Sequence, residues 1–302
     1  MLAALLLATI VGLLAPLIPA ADVVNHVRPI LLAGALTAAL AAARAGTRWQ
    51  LGLAALIAAA NLGLTARPFL TVAPASAAGR ETIKLVTFNV WIHNRNSAAL
   101  ERFLRAELAD IVILQELHPD VAGPLTHALR DLYPSTVHCT GQKSCDGAIL
   151  SRRPWRVAKL ALRAARRPPS VTAWYEEAGG SPLRLIGTHL ARPDRPNLQS
   201  EQLHALIGDI GPDAPEREPV ILAGDFNLTP WSWHLDRLSH QTGLRRLATL
   251  GATWPAHRRA DVPMVLIDHV LVSRHFSVVS YRIGPRLGSD HLPVIVELAR
   301  RP

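Results

Sequence analysis

Val220-Ile221-Leu222-Ala223-Gly224-Asp225-Phe226-Asn227 is the stretch of sequence that decides the fold. Its apolar run is typical of a buried β-strand, and the glycine marks the end of that strand. Side chains two residues apart in an extended chain point the same way, so Asp225 and Asn227 should face one spot. A carboxylate can hold a metal ion or orient water, and a carboxamide can donate and accept hydrogen bonds. An ordinary turn after a strand has the same pattern, so other parts of the chain decide between a functional site and a turn.

Polar groups stand at the ends of further apolar runs. They are Thr87-Phe88-Asn89, Leu114-Gln115-Glu116, Gly187-Thr188-His189, Ile267-Asp268-His269 and Gly288-Ser289-Asp290-His291. Taken singly, Asn89 is compatible with a turn cap, Glu116 with a solvated strand end and His189 with a buried core histidine. Asp268 is harder to explain in this way, because a carboxylate inside so apolar a run needs a partner. Together the runs predict that several strand ends meet at one site, as is common in α/β folds.

Strand-like and helix-like segments alternate after residue 80. Strands are predicted at 83–90, 111–114, 148–150, 157–162, 171–175, 183–190, 220–224, 265–272, 276–283 and 292–298, and helices around 100–108, 119–131 and 203–210. The last strands follow one another without a helix between them. The pattern predicts a mixed α/β fold with β-hairpins near its end, and not a strict βαβ series.

The first third of the chain has the composition of a membrane region. Residues 1–79 contain no Lys or Glu, one Asp and four Arg. Three apolar runs, Met1–Ala21, Pro29–Ala43 and Trp49–Ala66, are predicted to span a membrane, whose hydrocarbon core is ~30 Å thick. The middle run reaches only ~23 Å as a helix, so it needs snorkelling arginines or a thinned bilayer. A helical hairpin lying in the membrane interface is the alternative.

Arginines predict the orientation of these spans. Arg44 and Arg48 flank the loop before the last span, and positively charged loops stay in the cytoplasm. One further crossing then places residues 80–302 outside. Cys139 and Cys145 agree with this compartment, because two cysteines close together in a Gly-containing loop can form a disulfide there. Two free thiols are the alternative.

The soluble part is mildly basic. Residues 80–302 contain 28 basic and 22 acidic residues, a formal charge of +6. This charge suits an anionic substrate. An arginine-rich surface without a functional role would have the same charge.

The six motifs, in this order, resemble those of the endonuclease/exonuclease/phosphatase superfamily. The resemblance covers about 81–299 and implies a four-layer α/β sandwich, two mixed β-sheets packed face to face with helices outside. It divides the chain into transmembrane helices at 1–70, a linker at 71–80 and a catalytic domain at 81–302. Membrane-anchored bacterial members have a similar N-terminus, so the resemblance implies the bacterial inner membrane, with the catalytic domain periplasmic or otherwise extracytoplasmic.

The resemblance also implies roles for individual residues. Asn89, Glu116 and Asp290 would hold Mg²⁺ or Mn²⁺, which prefer hard oxygen ligands. The catalytic set would be His189, Asp225, Asn227, Asp268 and His291. In this set Asp225 and Asn227 orient water and phosphate, and His189 binds phosphate or the leaving group. His291 is the base or binds a phosphate oxygen, and Asp268 orients its ring.

One position departs from the family. Apurinic endonucleases usually carry an acidic residue two places after the first Asn, where this sequence has Trp91. The departure favours a phosphatase or sphingomyelinase-like member.

Arg152, in the loop after a middle strand, is expected to approach the substrate. Trp231 and Trp233 could stack on bases, seal the site or contact lipid.

The sequence therefore predicts a membrane-anchored, divalent-metal-dependent phosphoesterase that hydrolyses phosphodiester or phosphomonoester bonds. Its substrate would be a phospholipid head group, a nucleic acid or a small phosphoester, and no protein partner is predicted. The alternatives are a nuclease acting on extracytoplasmic DNA or RNA and a non-catalytic module that binds phosphorylated ligands.

Overall fold

The computed structural model describes residues 1–70, 76, 79–138, 147–161, 166–175, 182–247, 249–258 and 260–301. Most of the predicted linker 71–80 lies outside the described residues. Cys139 and Cys145 also lie outside them, so the disulfide stays a prediction.

Helices and strands follow one another along the described chain. The helices are α1 (Leu2–Leu13), α2 (Arg28–Arg44), α3 (Arg48–Ala66), α4 (Ser97–Glu107), α5 (Pro119–Ala128), α6 (Pro196–Ile210), α7 (Ala214–Arg217) and α8 (Trp233–Thr242). The strands are β1 (Thr82–Asn89), β2 (Ile111–Gln115), β3 (Ser135–His138), β4 (Ala148–Ser151), β5 (Val157–Ala161), β6 (Ser170–Tyr175), β7 (Leu183–His189), β8 (Val220–Asp225), β9 (Arg245–Arg246), β10 (Asp268–Val272), β11 (Phe276–Ile283) and β12 (Val294–Arg300).

The strands form two six-stranded sheets. The first has the order β11-β12-β1-β2-β4-β3 and the second the order β5-β6-β7-β8-β10-β9. Strands β1 and β2 pair in parallel, as do β7 and β8, whereas the other pairs are antiparallel. The predicted pair of mixed sheets is therefore confirmed.

Three apolar clusters give the fold its layers. The largest lies between the sheets, where Leu85 and Ile113 of the first sheet share a cluster with Ile221 and Val270 of the second. A second cluster joins α4 and α5 to the outer face of the first sheet. A third joins α6 and α8 to the outer face of the second. The result is the helix–sheet–sheet–helix sandwich that the resemblance implied.

The register of the strands brings the predicted site residues to neighbouring sheet edges. The parallel pairing of β1 with β2 places Asn89 opposite Gln115, one residue before Glu116. In the second sheet His189 stands opposite Asp225, and Asp225 stands opposite Asp268 across the antiparallel pair β8–β10. The carboxyl ends of the central strands therefore supply most of the site.

Some elements differ from the prediction. The strand predicted at 265–272 begins only at Asp268, and Val265 makes an isolated bridge with Trp254. The carbonyl of Ile267 instead accepts a hydrogen bond from the amide of Phe226. Helix α8 was not predicted because its sequence is largely polar, although Ser232 supplies a side-chain cap to the amide of Leu235.

Two helices within the described residues are long and apolar enough to cross a membrane, Pro19–Arg44 and Arg48–Phe69. Length and composition alone identify them. The structure differs from the predicted first span, Met1–Ala21, because α1 ends at Leu13. Its 12 residues reach only ~18 Å. The prolines at 16 and 19 explain this end, since proline lacks the amide hydrogen that a helix interior requires.

The segment Pro19–Val27, a 3-10 helix before α2, attaches the N-terminal helices to the sandwich. The carboxylate of Asp22 accepts hydrogen bonds from Ser232 Oγ at 2.5 Å and from the amide of Trp233 at 2.8 Å, at the start of α8. Farther along, Arg28 donates to Asn61 Oδ1 of α3 at 3.0 Å. The side chains of Asp22 and Arg28 are fully buried, so both contacts lie in the interior of the protein.

Candidate active site

Asp225 stands at the centre of a group of titratable side chains. His189 Nε2 lies 3.6 Å from Asp225 Oδ2, and His291 Nε2 lies 3.7 Å from the same oxygen. Two groups of possible metal ligands share Asp225, one with Glu116 and His189 and the other with Asp268 and His291. Within each group the ligand atoms lie within 4.8 Å of one another.

Burial raises the pKa of Asp225, the neighbouring His291 lowers it, and the charge of Asp268 raises it further. A carboxylate in this position holds protons more tightly than one in water.

Asn89 connects Asp225 to the first sheet. Its Nδ2 donates to Asp225 Oδ2 and to Glu116 Oε1, both at 3.0 Å. Glu116 Oε2 accepts from the amide of Ile92 at 3.1 Å. Asn89 Oδ1 accepts from the amide of Trp91 at 2.9 Å. Both carboxylates are thus fixed by one buried carboxamide.

Backbone strain is concentrated at this site. Glu116, Asn227 and Trp91 have φ values of 54°, 51° and 62°, in the left-handed region that few residues other than glycine adopt. Such strain persists only where the surroundings enforce it, and it is frequent at active sites. A fourth residue, Leu108, shares this conformation at the end of α4, where it is a common helix terminus.

His189 and Asn227 form the opposite wall. Asn227 Nδ2 donates to the carbonyl of Leu190 at 3.0 Å and lies 3.4 Å from His189 Nε2. The amide of Asn227 donates to Asp225 Oδ1 at 2.8 Å, which holds the two side chains in the turn predicted after β8. His189 Nε2 is also 3.8 Å from Glu116 Oε1.

Asp268 and His291 form a buried pair across the two sheets. His291 Nδ1 lies 2.9 Å from Asp268 Oδ2. Burial opposes the charged ring, but the carboxylates of Asp268 and Asp225 and the hydrogen bond to Asp268 outweigh it and raise the pKa of His291 to about 10. The ring is therefore protonated at neutral pH, with its Nε2 directed toward Asp225.

Gly224 allows β7 and β8 to approach closely enough to place these groups. A Cβ at this position would lie 1.9 Å from the carbonyl oxygen of Thr188. Any side chain would force the strands apart just before His189 and Asp225. Gly224 is therefore required both by the site and by the turn after β8.

Asp290 carries an observation that bears on a metal ion. Its Oδ2 accepts from Trp254 Nε1 at 3.3 Å, whereas its Oδ1 is buried and has no hydrogen-bond partner among the described residues. An unpartnered buried carboxylate oxygen is costly unless a cation or water binds it. The predicted ligands Glu116 and Asp290 thus offer the hard oxygen atoms that Mg²⁺ or Mn²⁺ prefers.

The site opens into a pocket of about 760 Å³. Glu116, His189, Asp225, Asn227, Asp290 and His291 all line it, whereas Asn89 and Asp268 lie behind it as supports. The Pro-rich segment after His189 contributes Arg192 and Arg195 to its wall. The eight residues to which the resemblance assigned metal-binding or catalytic roles are therefore brought to one place.

Several pocket residues were not predicted. His26 and Val27, from the segment before α2, line the pocket, and Trp254 lies beside Asp290. His26 Nδ1 accepts from the amide of Thr229 at 3.2 Å, in the loop after β8. No sequence signal placed the N-terminal region at the site, although a lone aspartate in an apolar segment, Asp22, could have indicated a buried polar contact there.

Three residues proposed from the sequence lie elsewhere. The prediction that Arg152 approaches the substrate was wrong. Arg152 follows Ser151, which pairs with Ile111 at the start of β2, whereas Glu116 follows the end of that strand. Trp231 donates to the carbonyl of Thr65 at 3.0 Å. Trp231 and Trp233 do not line this pocket within the described part of the chain, and both face the N-terminal helices.

Comparison with known proteins agrees with this geometry. The model of the Endonuclease/Exonuclease/phosphatase family matches residues 86–291. No curated protein matches the sequence.

Similar folds occur among solved structures. A humanized TDP2 from D. rerio is 18% identical, with a TM-score of 0.60, over 72% of this chain and 98% of that one. An endonuclease/exonuclease/phosphatase from Bacteroides vulgatus is 16% identical, with a TM-score of 0.62, over 74% and 100%. One from Beutenbergia cavernae DSM 12333 is 20% identical, with a TM-score of 0.57, over 73% and 72%. Identities this low show a shared fold, and together with the family match they lead to one conclusion: the chain belongs to the endonuclease/exonuclease/phosphatase family.

Proposed function

We propose that the protein is a membrane-anchored, divalent-metal-dependent phosphoesterase that cleaves phosphodiester or phosphomonoester bonds outside the cytoplasm. The observation that carries this proposal is the position of Asp225. It lies between Glu116 and His189 on one side and the Asp268–His291 pair on the other, and it faces a pocket with two arginines in its wall. Phosphoester hydrolysis needs a group that positions water and donors for the phosphate oxygens, and this arrangement offers side chains suited to both tasks.

Asp225 and Asn227 are the groups that orient the attacking water in this proposal. Burial raises the pKa of Asp225, which makes its carboxylate a better proton acceptor at neutral pH. The hydrogen bond from the Asn227 amide fixes Oδ1, so Oδ2 is the oxygen that faces the two histidines.

His291 acts as a donor and not as a base. Its raised pKa keeps the ring protonated, and Asp268 fixes Nδ1, so Nε2–H is left to bind a phosphate oxygen. His189, on the other side of Asp225, is placed to bind the phosphate or the leaving oxygen. Charged donors aimed at an oxyanion in a buried site stabilise the transition state strongly.

Glu116, Asp290 and Asn89 would hold Mg²⁺ or Mn²⁺. A bound cation of this kind neutralises phosphate charge and stabilises a developing alkoxide. Asn89 now presents Nδ2 to the two carboxylates, so its amide would have to turn over to present Oδ1 to a cation. The unpartnered oxygen of Asp290 favours this role.

The helices Pro19–Arg44 and Arg48–Phe69 support the membrane anchor. Arg44 and Arg48 occupy the turn between them, which favours a cytoplasmic turn and an extracytoplasmic sandwich. The contact of Asp22 with α8 supports this arrangement, because Asp22 precedes α2 and so lies at the end of the helix pair opposite that turn.

Hydrolysis of bis(4-nitrophenyl) phosphate by the full-length protein in detergent micelles tests the activity. With Mg²⁺ or Mn²⁺ present, wild type should release nitrophenolate, and His291→Asn should reduce kcat/KM by at least ~10²-fold. His240→Asn is the matched control, because His240 is an exposed histidine on α8. Equal turnover by the His291 variant would refute the assignment.

A panel of substrates separates the alternatives. DNA, RNA, sphingomyelin and phosphoinositides should be offered to the same preparation with the same ions. Cleavage of nucleic acid alone would favour the nuclease. Binding of phosphorylated ligands without any turnover would favour the non-catalytic module.

A further inference from the structure

A second cavity lies beside the catalytic pocket and differs from it in chemistry. It has a volume of about 410 Å³ and lies between the end of α3 and the sandwich. Its walls include Leu62, Phe69, Leu70, Trp231, Met264 and Leu266, and no charged residue lines it within the described chain. We call this cavity the α3 groove.

The α3 groove exposes large apolar side chains. Leu250 is 88% exposed, Leu70 78% and Met264 71%, although each lines the groove. Soluble proteins rarely leave a continuous apolar surface uncovered, and such surfaces mark binding sites. Phe69 and Trp231 pack edge to face inside it, with ring centroids 6.5 Å apart.

Two segments of the described chain contribute side chains to both the groove and the catalytic pocket. In the stretch 264–267, Met264 and Leu266 line the groove, whereas Val265 and Ile267 line the catalytic pocket. This alternation is that of an extended chain, whose successive side chains point to opposite faces. The loop after β8 is shared in the same way, with Thr229 on the catalytic side and Pro230 on the groove side.

Both cavities meet the same end of the α2–α3 pair. His26 and Val27, just before α2, line the catalytic pocket, and the last two turns of α3 line the groove. The hydrogen bonds of Asp22 to Ser232 and of Trp231 to Thr65 hold the sandwich against that end. If α2 and α3 cross the membrane, the groove lies at the bilayer surface and the phosphoester site lies next to it.

The composition of the groove selects the kind of ligand. A nucleic acid needs a basic surface along its backbone, and the lining of the groove carries no charge. A hydrocarbon chain needs no polar partners, and its burial against leucine, methionine and aromatic side chains is favourable. The position of the groove at the end of a candidate span makes such chains available to it.

We propose that the α3 groove binds the hydrocarbon chain of a lipid-linked phosphoester whose phosphate lies at Asp225 and His291. The proposal rests on the phosphoesterase activity proposed above and adds the class of its substrate. The catalytic pocket holds the polar head, the groove holds the chain nearest the phosphate, and the segment 264–267 lies between the two.

Two substrates that differ only in chain length test this proposal. Hexadecyl 4-nitrophenyl phosphate in mixed micelles and ethyl 4-nitrophenyl phosphate release the same chromophore. Full-length wild type should prefer the hexadecyl ester by at least ~10-fold in kcat/KM, a preference that burial of about two methylenes provides. Met264→Asp and Leu250→Asp should lower the ratio of the two values at least tenfold, and Met264→Leu should preserve it.

Leu160→Gln is the control, because Leu160 is a partly exposed leucine on β5, at the far edge of the second sheet. It should leave both rates unchanged. Equal kcat/KM for the two esters in wild type, or an unchanged ratio in both aspartate variants, would overturn the groove assignment while leaving the phosphoesterase intact.

A binding measurement tests whether the groove holds an alkyl chain, independently of hydrolysis. An alkyl phosphate whose chain carries bromine should quench tryptophan fluorescence in wild type, and the quenched component should shrink in Trp231→Phe and in Met264→Asp. Such quenching without hydrolysis of either ester would refute the proposed activity and leave the groove standing. Quenching that is identical in wild type, Trp231→Phe and Met264→Asp would overturn the groove.

Discussion

The ring of His291 hydrogen-bonds through Nδ1 to Asp268 Oδ2 at 2.9 Å, although Asp268 lies in the second sheet and His291 lies in the loop before the first sheet's strand β12. Asp268 is the first residue of β10, and His291 precedes β12. The pair therefore exists only when the sheets are packed face to face. Its chemistry, a protonated imidazole held beside Asp225, is a property of the whole sandwich.

Replacement of Asp268 by Asn should lower the pKa of His291. The Asp268 carboxylate contributes both a charge and a hydrogen bond to the raised value of about 10, and burial opposes the charged ring once they are lost. Imidazole NMR of the metal-free protein should find a protonated ring at pH 8 in wild type and a neutral one in the variant. A ring still protonated at pH 8 in Asp268→Asn would contradict this account.

The same shift predicts how stability depends on pH. The folded pKa of His291 lies above its unfolded value, so its contribution to stability is fully present below pH ~6.5 and is lost as pH rises toward about 10. Urea unfolding of the metal-free protein between pH 6.5 and 10 should show that the free energy of unfolding falls more steeply with pH in wild type than in Asp268→Asn. Parallel curves would show that the pair does not bind the proton in this way.

Gly224→Ala should destabilise the sandwich by at least ~2 kcal/mol and disturb the site, because its Cβ would clash with the carbonyl of Thr188. Gly208→Ala is the matched control, since a Cβ at that helical position of α6 meets nothing within 4 Å. The control should be neutral or stabilising by up to ~1 kcal/mol. Thermal unfolding of both variants measures the difference, and equal stabilities would contradict the role of Gly224.

Asp22→Ala should weaken the attachment of the N-terminal helices. It removes the acceptor for Ser232 Oγ and the amide of Trp233, and loss of such a cap costs ~1–2 kcal/mol. Asp213→Ala is the control, because Asp213 precedes α7 without a side-chain cap bond. Hydrogen exchange at the Trp233 amide should accelerate only in the first variant. Unchanged exchange there would mean that Asp22 does not hold α8.

The orientation can be tested with fusions at the C-terminus. An alkaline phosphatase fusion should be active and a GFP fusion dark, because a cytoplasmic positive turn between α2 and α3, as proposed, puts the sandwich outside the cytoplasm. A fluorescent GFP fusion would reverse the predicted topology.

The fold of the sandwich was predictable because each strand has a local signal, an apolar run that ends in a polar group. Gly224-Asp225 ends an apolar run, as do Glu116 and His189. The same motifs therefore predicted both where the strands end and which residues form the site. The pairing of Asp268 with His291 could be expected only from the resemblance, because the contact crosses between sheets.

The N-terminal region, residues 1–70, was less predictable. Apolar composition indicated membrane spans, but it could not show that α1 stops at Leu13 or that the segment before α2 turns back onto the sandwich. The contact depends on Asp22 and His26, whose partners lie more than 200 residues away in the chain. No periodicity in the sequence encodes a contact of that separation.

The most direct test of the central claim is the hydrolysis of bis(4-nitrophenyl) phosphate by Asp225→Asn. Asp213→Asn is the matched control, because Asp213 is an exposed aspartate that does not line the pocket. With Mn²⁺ present, we expect kcat to fall by ~10³-fold or more in the first variant, since it removes the group that orients and deprotonates water in the proposed mechanism, and to stay at the wild-type value in the second. A kcat for Asp225→Asn within ~10-fold of wild type would contradict the account, because simple proton-transfer catalysis alone is worth more than that.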